Sequence, residues 1–301
     1  MIICLDSGNN YIERGTMSIF DCKPADKPTF YFIGVTTSKS SIMKVFPEWA
    51  NYLGLGDCPI KGIDCKWHDE PQVYRKIVAF IKNDKLSLGG LITTHKIDLL
   101  NACRGMFDEL DPYAKLLGEI SCISKKNNKL RGHAKDPITS GLSLEAFCPD
   151  DHWAKTGGEL CLLGAGGSSL ALTIYFMKSK PKSQRPSKIY VTNRSTPRLD
   201  EMRRIHKEIN PCIDIEYFHC PNSDDNDQVV NKLRPYSMVV NATGLGKDAP
   251  GSPITNAARF PKNGFAWEFN YRGDLLFLDQ ANAQKRTKNL TVEDGWGYFI
   301  H

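Results

Sequence analysis

A cluster of glycines near the middle of the chain limits most strongly what this sequence can fold into. The apolar run Leu160–Leu163 leads into Gly164, Ala165, Gly166 and Gly167, after which apolar residues recur at helical spacing. This order predicts a strand, a tight turn and a helix. Glycines permit the sharp turn and a close backbone approach to a phosphate, and the free N–H groups of the helix start favour an anion. A dinucleotide phosphate is the favoured occupant, while an ordinary turn without a ligand is the alternative.

The strand after this helix bears on the kind of dinucleotide. Lys188–Val191 runs into Asn193, Arg194 and Ser195, at the place where an NAD-binding fold usually offers an acid to the adenosine ribose. No acid stands there. Arg194, with Arg198 one turn further on, would instead meet a 2′-phosphate, which suits the planar guanidinium group. The pattern predicts NADP rather than NAD, and the alternative is that both arginines are solvated surface charges.

The composition indicates a two-domain protein with reduced cysteines. The chain has 301 residues, and its 39 basic and 34 acidic residues form no block of like charge, so no nucleic-acid partner is expected. The ten cysteines are scattered without zinc spacing, which predicts no structural metal, no disulfides and a cytoplasmic location. The N-terminus does not resemble a signal peptide, and no apolar stretch approaches the roughly 20 residues that span a bilayer. We therefore expect no membrane partner.

Strands and helices alternate along the first half of the chain. The predicted strands are 29–35, 60–65 and 89–92, and the helices predicted after them are 41–52, 70–83 and 96–103. This alternation favours a largely parallel sheet that is covered on both faces. A hairpin of 120–124 and 129–131 is expected at the edge of this sheet, and two further short strands are expected at 1–5 and 17–20.

The second half predicts a Rossmann-like domain around the glycine turn. Its predicted strands are 160–163, 188–191, 213–218, 237–240 and 264–269, the last being the final strand. An acidic loop is expected at Asp224, Asp225 and Asp227, and Asn241–Gly246 supplies a second turn at a strand end, where ligands bind in open α/β sheets.

The predicted fold class is thus α/β with two domains. Residues 1–137 form a mostly parallel substrate-binding domain and residues 138–274 form the Rossmann-like domain. The apolar helical segments 275–283 and 296–300 are expected to return to the first domain and complete it.

Polar residues beside the strands of the first domain are candidate catalytic groups. The pieces that carry them, 38–40, 93–96, 119–122 and 134–136, are expected to converge at the carboxyl edge of the sheet. The hydroxyls of Ser38, Ser40 and Thr93 can bind a carboxylate or a polyol. Lys96 and Asp136 offer an ammonium and a carboxylate that can share the proton of a reacting alcohol. A surface salt bridge is the alternative for this pair.

In this order the pieces resemble the shikimate dehydrogenase family, which includes quinate/shikimate dehydrogenases, from about Phe30 to the end. The family's Ser-x-Ser for the substrate carboxylate matches Ser38 and Ser40. Its Asn-Val-Thr-x-Pro-x-Lys motif ends at Lys96, which the resemblance makes the catalytic lysine. Its Asn-Thr-Asp motif ends at Asp136, which would be the carboxylate that shares the proton.

The resemblance continues through the second domain. The glycine turn, the segment 193–198 and the turn after 240 resemble the NADP phosphate loop, the adenosine-phosphate clamp and the nicotinamide-side turn of the family. Glu268-Phe-Asn-Tyr271 is similar to its Asp-x-x-Tyr motif, whose tyrosine helps close the substrate pocket. Asp294-Gly295 resembles the stretch before the final substrate-binding helix. The cofactor-binding residues implied are Gly164, Ala165, Gly166, Gly167, Asn193, Arg194, Ser195, Arg198, Thr243 and Gly295; the substrate-binding residues implied are Ser38, Ser40, Thr93, Ser121 and Tyr271.

Several polar residues of the family pattern are absent. In this sequence Leu91 takes the place of the family's Asn before Val-Thr, and Thr94 or a neighbour takes the place of its Pro before the lysine. Ser121 takes the place of the family's substrate-binding Asn, and Ala134 that of the Asn in Asn-Thr-Asp. A site that hydrogen-bonds a hydroxyl can discriminate by a factor of about 10⁴ or more, so the lost amides indicate a changed or relaxed substrate. The family also places a substrate-contacting Gln where this sequence ends, at His301, which leaves open a longer natural chain.

The resemblance implies an NADP-dependent oxidoreductase acting on a carboxylated polyol ring, with 3-dehydroshikimate and NADPH giving shikimate as the first candidate, in the chorismate pathway of aromatic amino acid biosynthesis. Lys96, oriented by Asp136, would polarise the ketone and supply a proton to the new alkoxide. A quinate- or aminoshikimate-type dehydrogenase and a non-catalytic NADP or ligand sensor are the alternatives. The residues leave a monomer and a homodimer equally open.

Overall fold

The computed structural model describes residues 23–127, 129–209, 213–247 and 249–301, so the strands predicted at 1–5 and 17–20 lie outside it. The chain divides into two compact units, one ending at His133 and the other beginning at Ala134. In the described residues each unit is built on a sheet of six strands. Among the described residues, no helix is both long enough and apolar enough to cross a membrane.

The first unit holds a mixed sheet with helices between its strands. In chain order its elements are β1 (Thr29–Gly34), α1 (Ile42–Tyr52), β2 (Ile60–Asp64), α2 (Pro71–Asn83), β3 (Ser87–Ile92), α3 (Lys96–Cys103), β4 (Glu109–Leu110), α4 (Pro112–Leu117), β5 (Cys122–Lys126) and β6 (Lys129–His133). The strand order is β2-β1-β3-β5-β6-β4. β1 pairs in parallel with β2 and β3, whereas β5 runs antiparallel to both β3 and β6.

The predicted hairpin of β5 and β6 is confirmed, but the prediction that it forms the sheet edge was wrong. The two-residue strand β4 pairs in parallel with β6 and lies outside the hairpin. A strand this short shows no alternating pattern of its own, so the sequence gives no local signal for it. Asp111 caps the start of the neighbouring helix α4, and its carboxylate accepts the backbone N–H of Ala114 at 2.7 Å.

The second unit is a doubly wound α/β domain. Its elements are α5 (Asp136–Glu145), α6 (His152–Thr156), β7 (Leu160–Leu163), α7 (Gly167–Ser179), β8 (Lys188–Asn193), α8 (Thr196–Ile209), β9 (Asp214–His219), α9 (Ser223–Val230), β10 (Met238–Asn241), β11 (Phe265–Glu268), α10 (Leu276–Lys288), β12 (Thr291–Glu293) and α11 (Trp296–Ile300). Every strand pairing in this sheet is parallel, in the order β12-β11-β10-β7-β8-β9. This is the strand order of dinucleotide-binding sheets, and the order reverses between β7 and β10. The predicted α/β class with a Rossmann-like second half is confirmed.

Two predictions for this unit were wrong in detail. The segment with Asp224, Asp225 and Asp227 is helix α9 rather than a loop, because Asn222 and Asp225 form a capping box at its start. The strand at 265–268 is also not the last, since β12 follows it and pairs with β11. Acidic residues therefore marked a helix N-terminus, which their charge favours.

The C-terminal segment groups with the second unit, and its expected return to the first domain stays a prediction. Phe277 and Ala281 of α10 are buried in the apolar cluster that also contains Ala266 of β11. The helix α11 packs against α5. The burial of these apolar side chains against β11 explains why α10 stays with the sheet that precedes it.

The crossing of α5 and α7 depends on a glycine. A Cβ built at Gly141 of α5 would lie 2.1 Å from Cε2 of Tyr175, which belongs to α7. Tyr175 is itself buried, and its hydroxyl donates a hydrogen bond to Glu145. A side chain at position 141 would therefore force the two helices apart.

We predict that Gly141→Ala lowers the free energy of unfolding by about 1–3 kcal/mol, because the added methyl group overpacks the crossing. Alanine favours a helix by up to about 1 kcal/mol over glycine, so a net loss identifies the clash. Urea denaturation followed by circular dichroism measures the change. Gly105→Ala is the control, since a Cβ there meets nothing within 4 Å among the described residues. Equal unfolding midpoints for the two variants would contradict the prediction.

Candidate functional site

The glycine turn lies at the point where the strand order of the second sheet reverses. Gly164 follows β7 with φ at 105°, a conformation that side-chain-bearing residues rarely adopt. A Cβ there would lie 3.0 Å from the carbonyl oxygen of Ala242 and 3.1 Å from Cγ2 of Thr243, in the turn after β10. The helix α7 starts at Gly167, and a Cβ built at its N-cap Gly166 meets no described atom within 4 Å. The turn thus presents open backbone at a helix N-terminus, which suits a phosphate.

The side chain of Asn193 connects this turn to the one after β8. Its Oδ1 accepts the backbone N–H of Ala165 at 3.2 Å, and its Nδ2 donates to the carbonyl and the hydroxyl oxygens of Ser195 at 2.9 and 3.0 Å. Ser169 in α7 adds a hydrogen bond from its hydroxyl to the carbonyl of Gly164. The predicted cofactor residues Ala165, Asn193 and Ser195 are therefore brought together, with Asn193 holding the two turns.

The two predicted arginines lie at the same edge of the sheet. Arg194 is the first residue after β8, and Arg198 is in the first turn of α8. Both side chains are exposed, and the carbonyl oxygen of Arg194 lies 3.1 Å from Nε2 of His219 at the end of β9. In dinucleotide-binding sheets the adenosine end lies over this pair of strands. The two arginines thus stand at the edge of the sheet where the adenosine end of a dinucleotide lies.

A cavity of about 310 Å³ opens beside the glycine turn, at the carboxyl ends of β10 and β11. Its lining residues are Ser168, Ala242, Thr243, Gly244, Lys247, Phe269, Asn270, Tyr271, Tyr298 and Phe299. The ring of Tyr271 lies 4.4 Å from that of Phe299 and 5.3 Å from that of Trp296, measured between centroids. The cavity therefore has polar Ser168 near the start of α7 and an aromatic wall from the segment after β11 and from α11.

Gly295 shapes this aromatic wall through packing. A Cβ built there would lie 2.4 Å from the carbonyl oxygen of Phe269, which follows β11. Gly295 is the N-cap of α11, so its lack of a side chain lets that helix begin directly against the strand end. The ring of Tyr298 then stacks on Phe269 with a centroid distance of 4.5 Å.

A buried carboxylate links the ends of β10 and β11. Oε2 of Glu268 accepts a hydrogen bond from Nδ2 of Asn241 at 2.6 Å, and Oε1 accepts the backbone N–H and Nδ2 of Asn270, both at 2.8 Å. Oδ1 of Asn241 accepts the backbone N–H of Thr243 at 3.0 Å and its hydroxyl at 2.6 Å. Nδ2 of Asn270 also donates to the carbonyl oxygens of Thr243 and Leu245, at 3.0 and 3.3 Å. The network thus holds the turn that follows β10.

Asn241 and Asn270 were not predicted to be side-chain partners of Glu268. A usable signal was present, because each asparagine stands at the carboxyl end of a predicted buried strand. Polar residues at such positions meet at one edge of a parallel sheet. Lys247 and Phe299 gave no comparable signal, since neither belongs to a recognisable motif.

In the first unit, the predicted hydroxyl groups share the carboxyl edge of β1 and β3. Ser38 is exposed and Ser40 half-buried in the turn after β1. Thr93 directly follows β3, and its backbone N–H donates to the carbonyl of Ile33 at 3.2 Å. Lys96 is the first residue of α3. The pieces 38–40 and 93–96 therefore share one edge of this sheet, whereas the piece 134–136 belongs to the second unit, so the convergence of all four pieces stays a prediction.

Ser121 belongs to the same edge because β5 runs antiparallel to β3. Its backbone N–H donates to the carbonyl of His133 at 2.8 Å, and its own carbonyl accepts the N–H of Ile92 at 2.8 Å. The residue is buried, and its hydroxyl lies 3.5 Å from the carbonyl of His133. Asp136 is the first residue of α5, in the second unit.

Burial perturbs the acid in the β10–β11 network. Glu268 has no exposed surface, and this desolvation raises the pKa of its carboxyl group from 4.5 to about 7. The hydrogen bonds from Asn270 and Asn241 and the positive charge of Lys247 oppose the rise in pKa. The folded protein therefore holds a proton at Glu268 more tightly than the unfolded chain does.

We predict that the wild-type protein loses stability relative to Glu268→Gln as the pH rises between about 4.5 and 7. At low pH the Glu268 carboxyl group is protonated in both the folded and the unfolded state and costs no stability. As the pH rises, ionisation of this buried group costs the folded state up to about 3 kcal/mol. Urea denaturation of both proteins across this pH range measures the difference. Parallel stability curves for the two proteins would contradict the assignment to Glu268.

This chain is similar in sequence to proteins named shikimate dehydrogenase. No family model matches the chain. The chain is 29% identical over 195 residues to the NADP(+) shikimate dehydrogenase of Streptococcus thermophilus, covering 64% of this chain and 62% of that protein. It is 23% identical over 240 residues to the NADP(+) shikimate dehydrogenase of Lactococcus lactis subsp. cremoris, covering 79% and 78%. The match thus spans less than two thirds of the first relative's length.

The fold agrees with these sequence matches. The crystal structure of shikimate dehydrogenase from Aquifex aeolicus superposes with a TM-score of 0.69 at 20% identity, covering 92% of this chain and 90% of that one. At this identity the likeness concerns the fold. Together the sequence matches and the fold show that this chain is similar to shikimate dehydrogenases.

Proposed function

We propose that this protein is an NADP-dependent oxidoreductase that interconverts an alcohol and a ketone on a carboxylated polyol ring, with reduction of 3-dehydroshikimate by NADPH as the first candidate. The observation that carries the proposal is the meeting of the Gly164 turn and the Thr243 turn at the reversal point of the second sheet. Sheets of this order bind dinucleotides there. The sequence similarity to proteins named NADP(+) shikimate dehydrogenase supports the same reaction class.

The residues present fit the cofactor along the carboxyl edge of the second sheet. The open backbone at Gly166 and the N-terminus of α7 would hold the diphosphate. Arg194 and Arg198 would hold the adenosine 2′-phosphate, and the cavity beside Thr243 would take the nicotinamide half. When bound, the cofactor supplies the hydride that reduces the ketone.

The first unit would supply the substrate and proton chemistry. The hydroxyls of Ser38, Ser40 and Thr93 would bind the carboxylate and ring hydroxyls of the substrate. Lys96, at the start of α3, would polarise the ketone and provide a proton to the developing alkoxide. Asp136 would keep the lysine charged and oriented, and Tyr271 would close the pocket.

A changed substrate is the second candidate, favoured by the lost amides. Ser121 is buried and shorter than the asparagine of the family pattern, and Ala134 has no polar side-chain atom. A quinate- or aminoshikimate-type substrate would follow if the remaining hydroxyls and Lys96 recognise a different ring substituent. A ligand sensor without turnover is disfavoured because a binding protein has no need of the lysine and aspartate pair.

We predict that Lys96→Ala lowers kcat by about 10²–10⁴, because the variant lacks the proton donor for the alkoxide. The assay follows reduced nicotinamide absorbance with NADP or NAD and with shikimate or quinate. Lys76→Ala, on the exposed side of α2, is the matched control and should leave kcat unchanged. Turnover by the wild-type protein that survives in Lys96→Ala would contradict the role of the lysine. Tight NADP binding without turnover on any substrate pair would favour the sensor.

We predict that Arg194→Ala and Arg198→Ala each raise the KM for NADP about tenfold or more while leaving the KM for NAD nearly unchanged. Each guanidinium group would lose a hydrogen bond to a charged phosphate, worth about 1.5–3 kcal/mol. Arg203→Ala is the control, because this exposed arginine of α8 pairs with Asp200 on the same helix. Equal losses with both cofactors would contradict binding of the 2′-phosphate.

A further inference from the structure

We propose that Glu268 is a positioning residue whose carboxylate fixes the turn after β10 and so shapes the pocket for the nicotinamide half of the cofactor. The inference rests on the proposed function for the identity of the ligand. Glu268 is completely buried, so it acts through its hydrogen-bond partners rather than by contact with the cofactor. Of the residues in its hydrogen-bond network, Thr243 and Asn270 line the cavity.

Glu268 fixes the orientation of the Asn241 amide. Its Nδ2 donates to Glu268 at 2.6 Å, which turns Oδ1 toward the backbone N–H and the hydroxyl of Thr243. If the amide flipped, Nδ2 would face the backbone N–H of Thr243, and the hydrogen bonds that Oδ1 accepts from this N–H and from the hydroxyl would be lost. An acceptor at Glu268 Oε2 therefore determines which way Asn241 points.

The other oxygen of the Glu268 carboxylate orients Asn270. Oε1 accepts both the backbone N–H and the side-chain Nδ2 of Asn270 at 2.8 Å. The same Nδ2 donates to the carbonyl oxygens of Thr243 and Leu245, so Asn270 holds the turn from the side opposite Asn241. The turn after β10 is thus clamped between two asparagines, and one carboxylate orients both.

Position 268 requires a carboxylate because the groups around it all donate. Three N–H groups point at Glu268, and an ionised carboxylate is the side chain that only accepts. Glutamine at this position would keep the bonds to Asn270 on its oxygen but would turn an amide NH₂ toward the NH₂ of Asn241. Two facing donors in a buried site are unfavourable, so Asn241 would flip and release Thr243.

The turn after β10 lies where the nicotinamide half of the cofactor would bind. In sheets of this order the half that contains β10, β11 and β12 binds the nicotinamide mononucleotide. Ala242, Thr243 and Gly244 line the cavity at the carboxyl end of β10, and the carbonyl of Ala242 lies 3.0 Å from the Cβ position of Gly164. Displacement of the turn after β10 would therefore change the nicotinamide pocket and would also change the contact between this turn and the glycine turn.

The experiment compares Glu268→Gln with the double variant Glu268→Gln/Asn241→Asp at a pH of about 8, where the wild-type carboxylate is mostly ionised. In the double variant an aspartate oxygen accepts the glutamine NH₂ while its second oxygen still accepts Thr243. The readouts are the dissociation constant of NADPH by fluorescence titration, the separate KM values for cofactor and substrate, and hydrogen exchange of the Thr243 and Leu245 amides without ligand.

Glu159→Gln is the matched control. Glu159 is a second buried carboxylate of the same sheet, but it precedes β7 at the amino edge, where it accepts the hydroxyl of Tyr190 and the backbone N–H of Arg234 at 3.2 Å. A loss of binding that came only from general destabilisation would appear in this variant as well. Circular dichroism at the assay temperature checks that each variant is folded.

For Glu268→Gln we expect about a tenfold weaker NADPH affinity, a matching rise in the KM for the cofactor alone, and faster exchange of the two amides. The double variant should recover the affinity to within about threefold, and Glu159→Gln should keep it. Wild-type affinity in Glu268→Gln, or no recovery in the double variant, would overturn the positioning role. Absence of NADPH binding by the wild-type protein would instead overturn the proposed function, and the amide exchange would still report whether Glu268 holds the turn.

Discussion

The close approach of two turns at the reversal point of the second sheet is the constraint on which the candidate site depends. Gly164 has φ at 105°, and its Cβ position lies 3.0 Å from the carbonyl of Ala242. Because no side chain fits there, the glycine turn after β7 and the turn after β10 form one continuous surface. The cavity, the open helix start of α7 and the edge that carries Arg194 all follow from this arrangement.

This surface is maintained by polar groups whose burial lowers stability. Glu268 is completely buried, and its raised pKa shows that the folded protein accommodates the charged carboxylate at a cost in free energy. The three hydrogen bonds that it accepts hold Asn241 and Asn270, and these hold the turn at Thr243. An apolar cluster would stabilise the strand ends better but would not orient the backbone of this turn, which the network does.

Much of the fold could be predicted because its longer elements carry their own periodic signals. The strand Thr29–Gly34 is an aromatic and β-branched run, and the helix Pro71–Asn83 shows apolar residues along one face. The short strands Glu109–Leu110 and Thr291–Glu293 were missed because two or three residues show no period, and their partner strands determine them. The helix Ser223–Val230 was taken for a loop because its first turn is acidic, which in fact stabilises a helix start.

The sequence by itself determined the local chemistry: the glycine turn at Gly164, the arginines after β8, and Lys96 at the start of a helix. Each of these depends on residues that are neighbours in the chain. Only the tertiary structure decided that Glu268 bridges Asn241 and Asn270, and that α10 stays with the second sheet. The physical reason is that these contacts join strand ends that are distant in sequence, so they exist only once the strand order has placed β10 beside β11.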